Sequence, residues 1–121
     1  MPEVSSRRVF DLEERSFTFA KNVALFCRTL AKTSSNIEYA KQLIRSSASI
    51  GANYTEANDS LGKKDFMMRI KICRRESKES GYWLRLIRDT NADDFIGAAS
   101  MLINETVELK KIFSSILQRV K

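Results

Sequence analysis

Five polar residues recur at helical spacing, and their types are those that could do chemistry. They are Arg45, Asn53, Glu56, Glu76 and Glu79. The first three share one face of a helical segment, and the two later glutamates stand three residues apart in another. Carboxylates from two helices can hold a pair of iron ions, but such sites usually include a Glu-x-x-His pair. The chain has no His, so we predict a structural network that fixes helix register, with a carboxylate enzyme as the weaker alternative.

Other catalytic and cofactor sites are not indicated either. Without His, imidazole-based triads and zinc sites are excluded, and there is no phosphate-binding glycine loop, nucleophile elbow or CxxC motif. We therefore predict no enzymatic activity, catalytic residue, metal or cofactor. Cys27 and Cys73 are far apart in helical patterns, which is typical of buried free thiols in a reducing cytoplasm. No apolar stretch approaches the ~20 residues of a membrane span, so we expect a cytoplasmic protein without a membrane partner.

Small residues dominate the middle of the segment Gln42–Asn58, where a helix that only filled a core would carry Leu and Ile. Ser46, Ser47, Ser49 and Gly51 lie there among polar residues. Small side chains let a neighbouring backbone come close. The segment therefore predicts a tight helix–helix contact.

Long helices are expected throughout, because the chain has one Pro and four Gly. Apolar periodicity and polar turns place them at about Leu12–Ala31, Ile37–Asn58, Lys63–Thr90 and Phe95–Arg119. Three short loops predict an all-α, antiparallel up-down-up-down four-helix bundle. We expect one domain over residues 1–121, with residues 1–11 as a flexible N-terminal segment.

The apolar residues of two helices exceed what one core stripe needs. On helix one, the predicted core stripe is Phe17, Ala20, Ala24, Cys27 and Ala31, and on helix three it is Phe66, Ile70, Cys73, Ser77, Ser80, Leu84 and Ile87. The residues off these stripes are Leu12, Phe19, Phe26, Leu30, Met68, Ile72, Trp83 and Leu86. Exposed apolar patches usually mark interfaces, so these eight predict a homo-oligomer. The alternative is a wide buried arc inside a monomer.

A basic stripe runs along one flank of helix three. Its seven residues fall at roughly 60° to 180° around the helix axis from Phe66, at about 100° per residue: Lys63, Lys64, Lys71, Arg74, Arg75, Lys78 and Arg85. Between Lys63 and Arg88, nine basic residues face three acidic ones, and the resulting +6 equals the charge of the whole protein. Such a stripe suits a phosphate backbone, and Tyr82 within it could stack on a base. The alternative is a solvated flank paired with acids on neighbouring helices.

Several of these segments resemble a known family. They are Gln42–Arg45 (QLIR), Ser49–Asn53 (SIGAN) with Glu56, Lys64–Phe66 (KDF), and Glu76 and Glu79 with Tyr82–Leu84 (YWL). Together they look like the four-helix-bundle family first named for 23S rRNA intervening-sequence proteins. The resemblance covers about Phe19 to Phe113.

This resemblance implies a left-handed antiparallel bundle and a set of partners. Some members are encoded inside insertions in ribosomal RNA genes. Others are similar to the accessory variability determinant proteins of diversity-generating retroelements, which form a pentameric barrel whose basic surface engages nucleic acid and a reverse transcriptase. By this resemblance we expect a pentamer, with RNA or DNA and a reverse transcriptase as candidate partners.

Stripe and resemblance together predict a non-enzymatic homo-oligomer that binds structured RNA or DNA through helix three. The alternative is a protein-interaction adaptor, whose basic stripe would meet an acidic protein partner while the apolar flank would assemble the oligomer.

Overall fold

Four long helices make up the chain in this computed structural model, which describes the backbone of residues 2–120 and the side chains of residues 12–120. They are α1 (Pro2–Arg28), α2 (Ser34–Asn58), α3 (Lys63–Thr90) and α4 (Ile96–Val120), with a 3-10 turn at Asp93–Phe95 before α4. The predicted all-α four-helix bundle is confirmed, and α3 begins and ends at the predicted residues. The predicted flexibility of residues 1–11 concerns a segment whose side chains lie outside the described residues, and it stays a prediction.

Short connections make consecutive helices antiparallel, and local hydrogen bonds fix where they begin. The Thr33 hydroxyl accepts a bond of 3.1 Å from the backbone N–H of Asn36, which caps α2. At the next turn, the Phe66 N–H donates to the Gly62 carbonyl at 3.0 Å and so starts α3. In the resulting bundle, α3 packs extensively against both α2 and α4, whereas α1 contacts α2 and, more sparsely, α4.

The predicted core stripe of α1 is wrong. Phe17 is 64% exposed, and the residues that fill the core from this helix are the ones assigned to an oligomer interface: Leu12, Phe19, Phe26 and Leu30, with Val23. Two stripes on α1 satisfy the helical period, and burying the larger apolar side chains stabilises the fold more than burying alanines. Leu12, Phe19, Phe26 and Leu30 therefore belong to the core of a single chain, and their prediction as interface residues is wrong.

Small residues bring the helices close together, as the Gln42–Asn58 segment predicted. Between α2 and α1, a Cβ added to Gly51 would lie 3.1 Å from the hydroxyl oxygen of Ser16. Between α3 and α4, a Cβ added to Gly81 would lie 2.8 Å from the hydroxyl oxygen of Thr106. Between α2 and α3, the hydroxyl oxygens of Ser46 and Ser80 are 2.8 Å apart in the buried interior. The contacts of Ser80 and Gly81 place α3 tightly between α2 and α4.

The predicted polar network joins α2 to α3. Arg45 donates to Glu79, and its Nη1 lies 3.3 Å from Oε2 of Glu76, a carboxylate that is buried. About two turns towards the α2–α3 loop, Arg69 Nη1 donates to Asn53 Oδ1 at 3.0 Å. Arg69 was not assigned to the network, although its spacing of seven residues from Glu76 places it on the same face of α3.

Glu56 does not belong to this network. Its side chain is exposed and makes no hydrogen bond or ion pair within residues 12–120. The register that sets Arg45 opposite Glu76 and Asn53 opposite Arg69 places Glu56 level with the first turn of α3. Periodicity along α2 predicted the correct face, but only the pairing of the two helices determines which residues find a partner.

Two further contacts hold the bundle and were not predicted. At one end, the side-chain amides of Asn36 and Asn91 exchange two hydrogen bonds of 2.9 Å. Between α1 and α4, Arg15 donates to both carboxylate oxygens of Glu105, at 2.7 and 2.8 Å. A bidentate pair of this kind fixes geometry more strictly than a single ion pair does.

We expect Gly81→Leu to destabilise the protein, because the new side chain would enter the space that the Thr106 hydroxyl fills. Overpacking of this kind costs about 1–3 kcal/mol of the free energy of unfolding. Gly97→Leu is the matched control, since no atom lies within 4 Å of the corresponding Cβ and the site is exposed. Urea unfolding followed by circular dichroism measures both. Equal midpoints for the two variants would show that close approach at Gly81 is not required.

Arg45→Met should also destabilise the protein, because it leaves the buried Glu76 carboxylate without its cation. Arg45 is half-exposed, so we expect a loss of about 1–2 kcal/mol in the free energy of unfolding. Adding Glu76→Gln should restore much of this loss, since a neutral amide costs less to bury. The control is Lys41→Met on the same helix, an exposed residue. If both methionine variants unfold at the same urea concentration, the network does not stabilise the bundle.

Candidate nucleic-acid interface

The basic stripe of α3 lies on the surface of the bundle. Six of its seven residues are exposed and Arg74 is half-buried. The buried side of the same helix carries residues such as Ile70, Ser77 and Leu84. Because the core side of α3 is filled by small and apolar groups, the long cationic side chains extend into solvent on the opposite flank.

No acidic side chain within residues 12–120 forms an ion pair with the seven stripe residues. The carboxylates of α3 at Glu76 and Glu79 bind Arg45, and Glu105 on α4 binds Arg15. At the end of α3, hydrogen bonding by Arg88, together with the charges of Arg88 and Arg85, lowers the pKa of Asp89. The alternative in which acids on neighbouring helices pair with the stripe is therefore not supported by any ion pair in the described part of the chain.

Four stripe residues line a groove of about 720 Å³ beside α4. Its lining consists of Met68, Lys71, Ile72, Arg74, Arg75, Lys78, Lys110 and Ser114. The contact of Gly81 with Thr106 sets the axial register of α3 against α4. In this antiparallel register, Lys78 and Lys110 each lie one turn away from that contact and line the same groove. Lys110 was not predicted, because only the packing of two antiparallel helices shows which cation of α4 joins the stripe.

The other three stripe residues lie outside this groove. Lys63 and Lys64 are in the first turn of α3, and Arg85 lies roughly 10 Å beyond Lys78 along the helix axis at about 1.5 Å per residue. From end to end the stripe spans about 33 Å on the same scale. The site is therefore an elongated basic surface with a groove in its middle.

An apolar band runs beside the stripe on α3. Met68 is 55% exposed, while Ile72, Trp83 and Leu86 are half-buried. Trp83 already has partners within the chain: its indole N–H donates to Glu79 at 3.2 Å, and its ring centroid lies 6.0 Å from that of Tyr39 and 5.1 Å from that of Tyr82. Whether the band also contacts other copies of the chain stays a prediction.

The arrangement of the carboxylates favours a structural role over a metal site. The Arg45 guanidinium binds both Glu76 and Glu79, so a cation already occupies the position between them, and Glu56 is remote in register. In residues 12–120 no three His, Cys, Asp or Glu side chains are grouped to bind a metal ion. Burial raises the pKa of the Cys27 thiol to about 11 and that of Cys73 to about 12, so both thiols stay protonated at neutral pH.

Comparison with known proteins places this fold and these motifs in a family. Residues 9–115 match the family described as 23S rRNA-intervening sequence protein. A crystal structure from Bacteroides thetaiotaomicron VPI-5482 is similar to the bundle, with a TM-score of 0.77 and 28% sequence identity over 88% of this chain and 97% of that one. It is described as a protein with unknown function from the S23 ribosomal protein family. No curated protein gives a significant match.

Neither similarity names an enzymatic activity. Among the described helices, none combines the length and the apolarity needed to cross a lipid bilayer. The match covers most of the chain and agrees with the four-helix architecture and with the motifs on α2 and α3. The chain belongs to the family of 23S rRNA intervening sequence proteins.

Proposed function

We propose that this protein is a non-enzymatic homo-oligomer that binds structured RNA or DNA through the basic stripe of α3. The observation that carries the proposal is the concentration of positive charge: the segment from Lys63 to Arg88 carries the whole net charge of +6. On one flank of that segment, the stripe cations have no ion-pair partner in the described part of the chain. Such a surface attracts polyanions over several ångströms in dilute salt.

A nucleic acid suits the stripe better than an acidic protein does. The cations extend along one helix for about 33 Å, so they can meet a series of phosphates. An acidic protein would have to present carboxylates over the same length. The family name, which refers to intervening sequences in 23S rRNA, supports an association with RNA, and the resemblance described above adds a reverse transcriptase as a candidate partner.

Binding through this stripe should depend strongly on salt. Each phosphate that a cation neutralises releases condensed counterions. The slope of log binding constant against log salt concentration therefore changes by about −0.7 per contact on a single strand and by about −0.9 per contact on a duplex. Contacts from most of the seven stripe residues would thus give a slope of roughly −5. Affinity of this origin is largely independent of sequence.

We expect the triple variant Lys71→Gln, Arg75→Gln, Lys78→Gln to lose affinity for RNA and to flatten the salt slope by about 2 to 3. All three side chains are exposed, so the fold should be unaffected. The control is Lys21→Gln, Lys32→Gln, Lys41→Gln, which removes the same charge from exposed positions on and next to α1 and α2. Fluorescence anisotropy titrations over a salt series measure both.

Two results would contradict the proposal. If the α3 triple variant binds with the affinity and the salt slope of the control, the stripe is not the binding surface. If the wild-type protein binds no RNA or DNA in moderate salt but captures an acidic protein through the same lysines and arginines, the adaptor function is correct instead.

The oligomer is the second part of the proposal. The resemblance supports a pentamer, for which light scattering should give about five times the 13.9 kDa of one chain. With the α1 residues buried in the monomer core, the remaining predicted contacts are on the apolar band of α3, where Trp83 and Leu86 lie outside the groove beside α4. We expect Leu86→Glu to lower the measured mass, and Leu25→Glu, at an exposed leucine of α1, to leave it unchanged. A monomeric wild-type protein at tens of micromolar would contradict the oligomer.

A further inference from the structure

The groove beside α4 differs from the rest of the basic stripe in having an apolar lining. Five cations surround it, and Met68 and Ile72 lie among them. Met68 is 55% exposed, although an exposed helix position next to Lys71 and Arg75 could carry any polar residue. Apolar atoms add nothing to the attraction of a phosphate, but they offer a surface on which the flat face of a base can pack.

The dimensions of the groove suit a strand rather than a duplex. Axes of neighbouring packed helices are about 8–10 Å apart. The major groove of B-DNA alone is about 12 Å wide, and a whole duplex is wider still. A duplex can therefore rest on the ridges of α3 and α4 but cannot enter between them. A single strand can place its backbone along the cations and turn its bases inward.

An aromatic ring continues this surface along α3. Tyr82 is 55% exposed and follows Lys78 by one helical turn. Its ring packs edge-on against Trp83, with centroids 5.1 Å apart and planes at 78°, so the neighbouring indole restrains its orientation. Cations alternating with an exposed aromatic ring and apolar side chains are typical of surfaces that bind single strands by stacking.

From these features we infer that the groove binds an unpaired segment of nucleic acid. Lys71, Arg74, Arg75, Lys78 and Lys110 contact the phosphates. Bases pack on Met68 and Ile72 and stack on Tyr82. This rests on the proposed function and sharpens it, because it names the unpaired part of a structured RNA or DNA as the part that is recognised.

The test compares one strand with its own duplex. A fluorescent oligonucleotide of ~12 nucleotides, within the range of about 4–16 that single-strand-binding folds cover, is titrated alone and annealed, in RNA and in DNA form. We expect the wild-type protein to bind the single strand at least tenfold more tightly than the duplex. RNA and DNA arms determine which sugar the groove prefers.

Two variants address the apolar contacts. Tyr82→Ala should weaken single-strand binding by about fivefold or more, which corresponds to the ~1–3 kcal/mol of one stacked base, and Met68→Ser should weaken it in the same direction. Neither should change duplex binding. Tyr82→Phe retains the ring and should bind like wild type. Met101→Ser is the matched control for Met68, because Met101 is 75% exposed but lies in the separate groove between α1 and α4.

The outcomes separate this inference from the proposed function. Equal binding of strand and duplex, unaffected by Tyr82→Ala and Met68→Ser, would overturn the single-strand assignment while leaving the basic stripe as the binding surface. Absence of binding to either form would overturn both. If Met68→Ser lowers the mass measured by light scattering without weakening single-strand binding, then Met68 is an oligomer contact and the inference is wrong.

Discussion

The close packing of α3 between α2 and α4 is the constraint on which the rest of the structure depends. Ser46 and Ser80 touch on one side, and Gly81 meets Thr106 on the other. Large side chains at these positions would separate the helices, so the inward side of α3 has room only for small residues and a few apolar ones. All the long cationic side chains of this helix therefore lie on its outer flank or, like Arg69, in a specific hydrogen bond.

Register gives this packing its functional consequence. Arg45 is fixed opposite Glu76 and Glu79, so two of the carboxylates of α3 are paired with a cation from α2. Arg15 binds Glu105 of α4 in the same way. Within residues 12–120, the acids of these ion pairs form none with the stripe, so the charge of the stripe is available to a polyanion. Stability and electrostatics are connected here because the same acids serve both.

The boundaries and the core face of α3 were predictable, because they depend on short-range patterns. The signals that define α3 all lie within one segment and do not depend on another helix. They are the scarcity of Gly and Pro, the flanking polar turns and the regular spacing of Ile70, Cys73, Leu84 and Ile87. The core face of α1 was not predictable in this way. Its alanine stripe and its Leu–Phe stripe both fit the helical period, and the choice between them depends on how much apolar surface each buries against α2 and α4.

The sequence by itself determined the fold class, the family and the concentration of charge on α3, since each of these follows from residue types and spacing within single segments. Only the tertiary structure decided which partners those residues have. It places Phe19 and Phe26 in the core, leaves Glu56 without a side-chain partner within residues 12–120, and adds Lys110 to the basic surface. The physical reason is that periodicity specifies a direction around one helix axis, whereas a contact also requires the rotation and the axial register of the neighbouring helix.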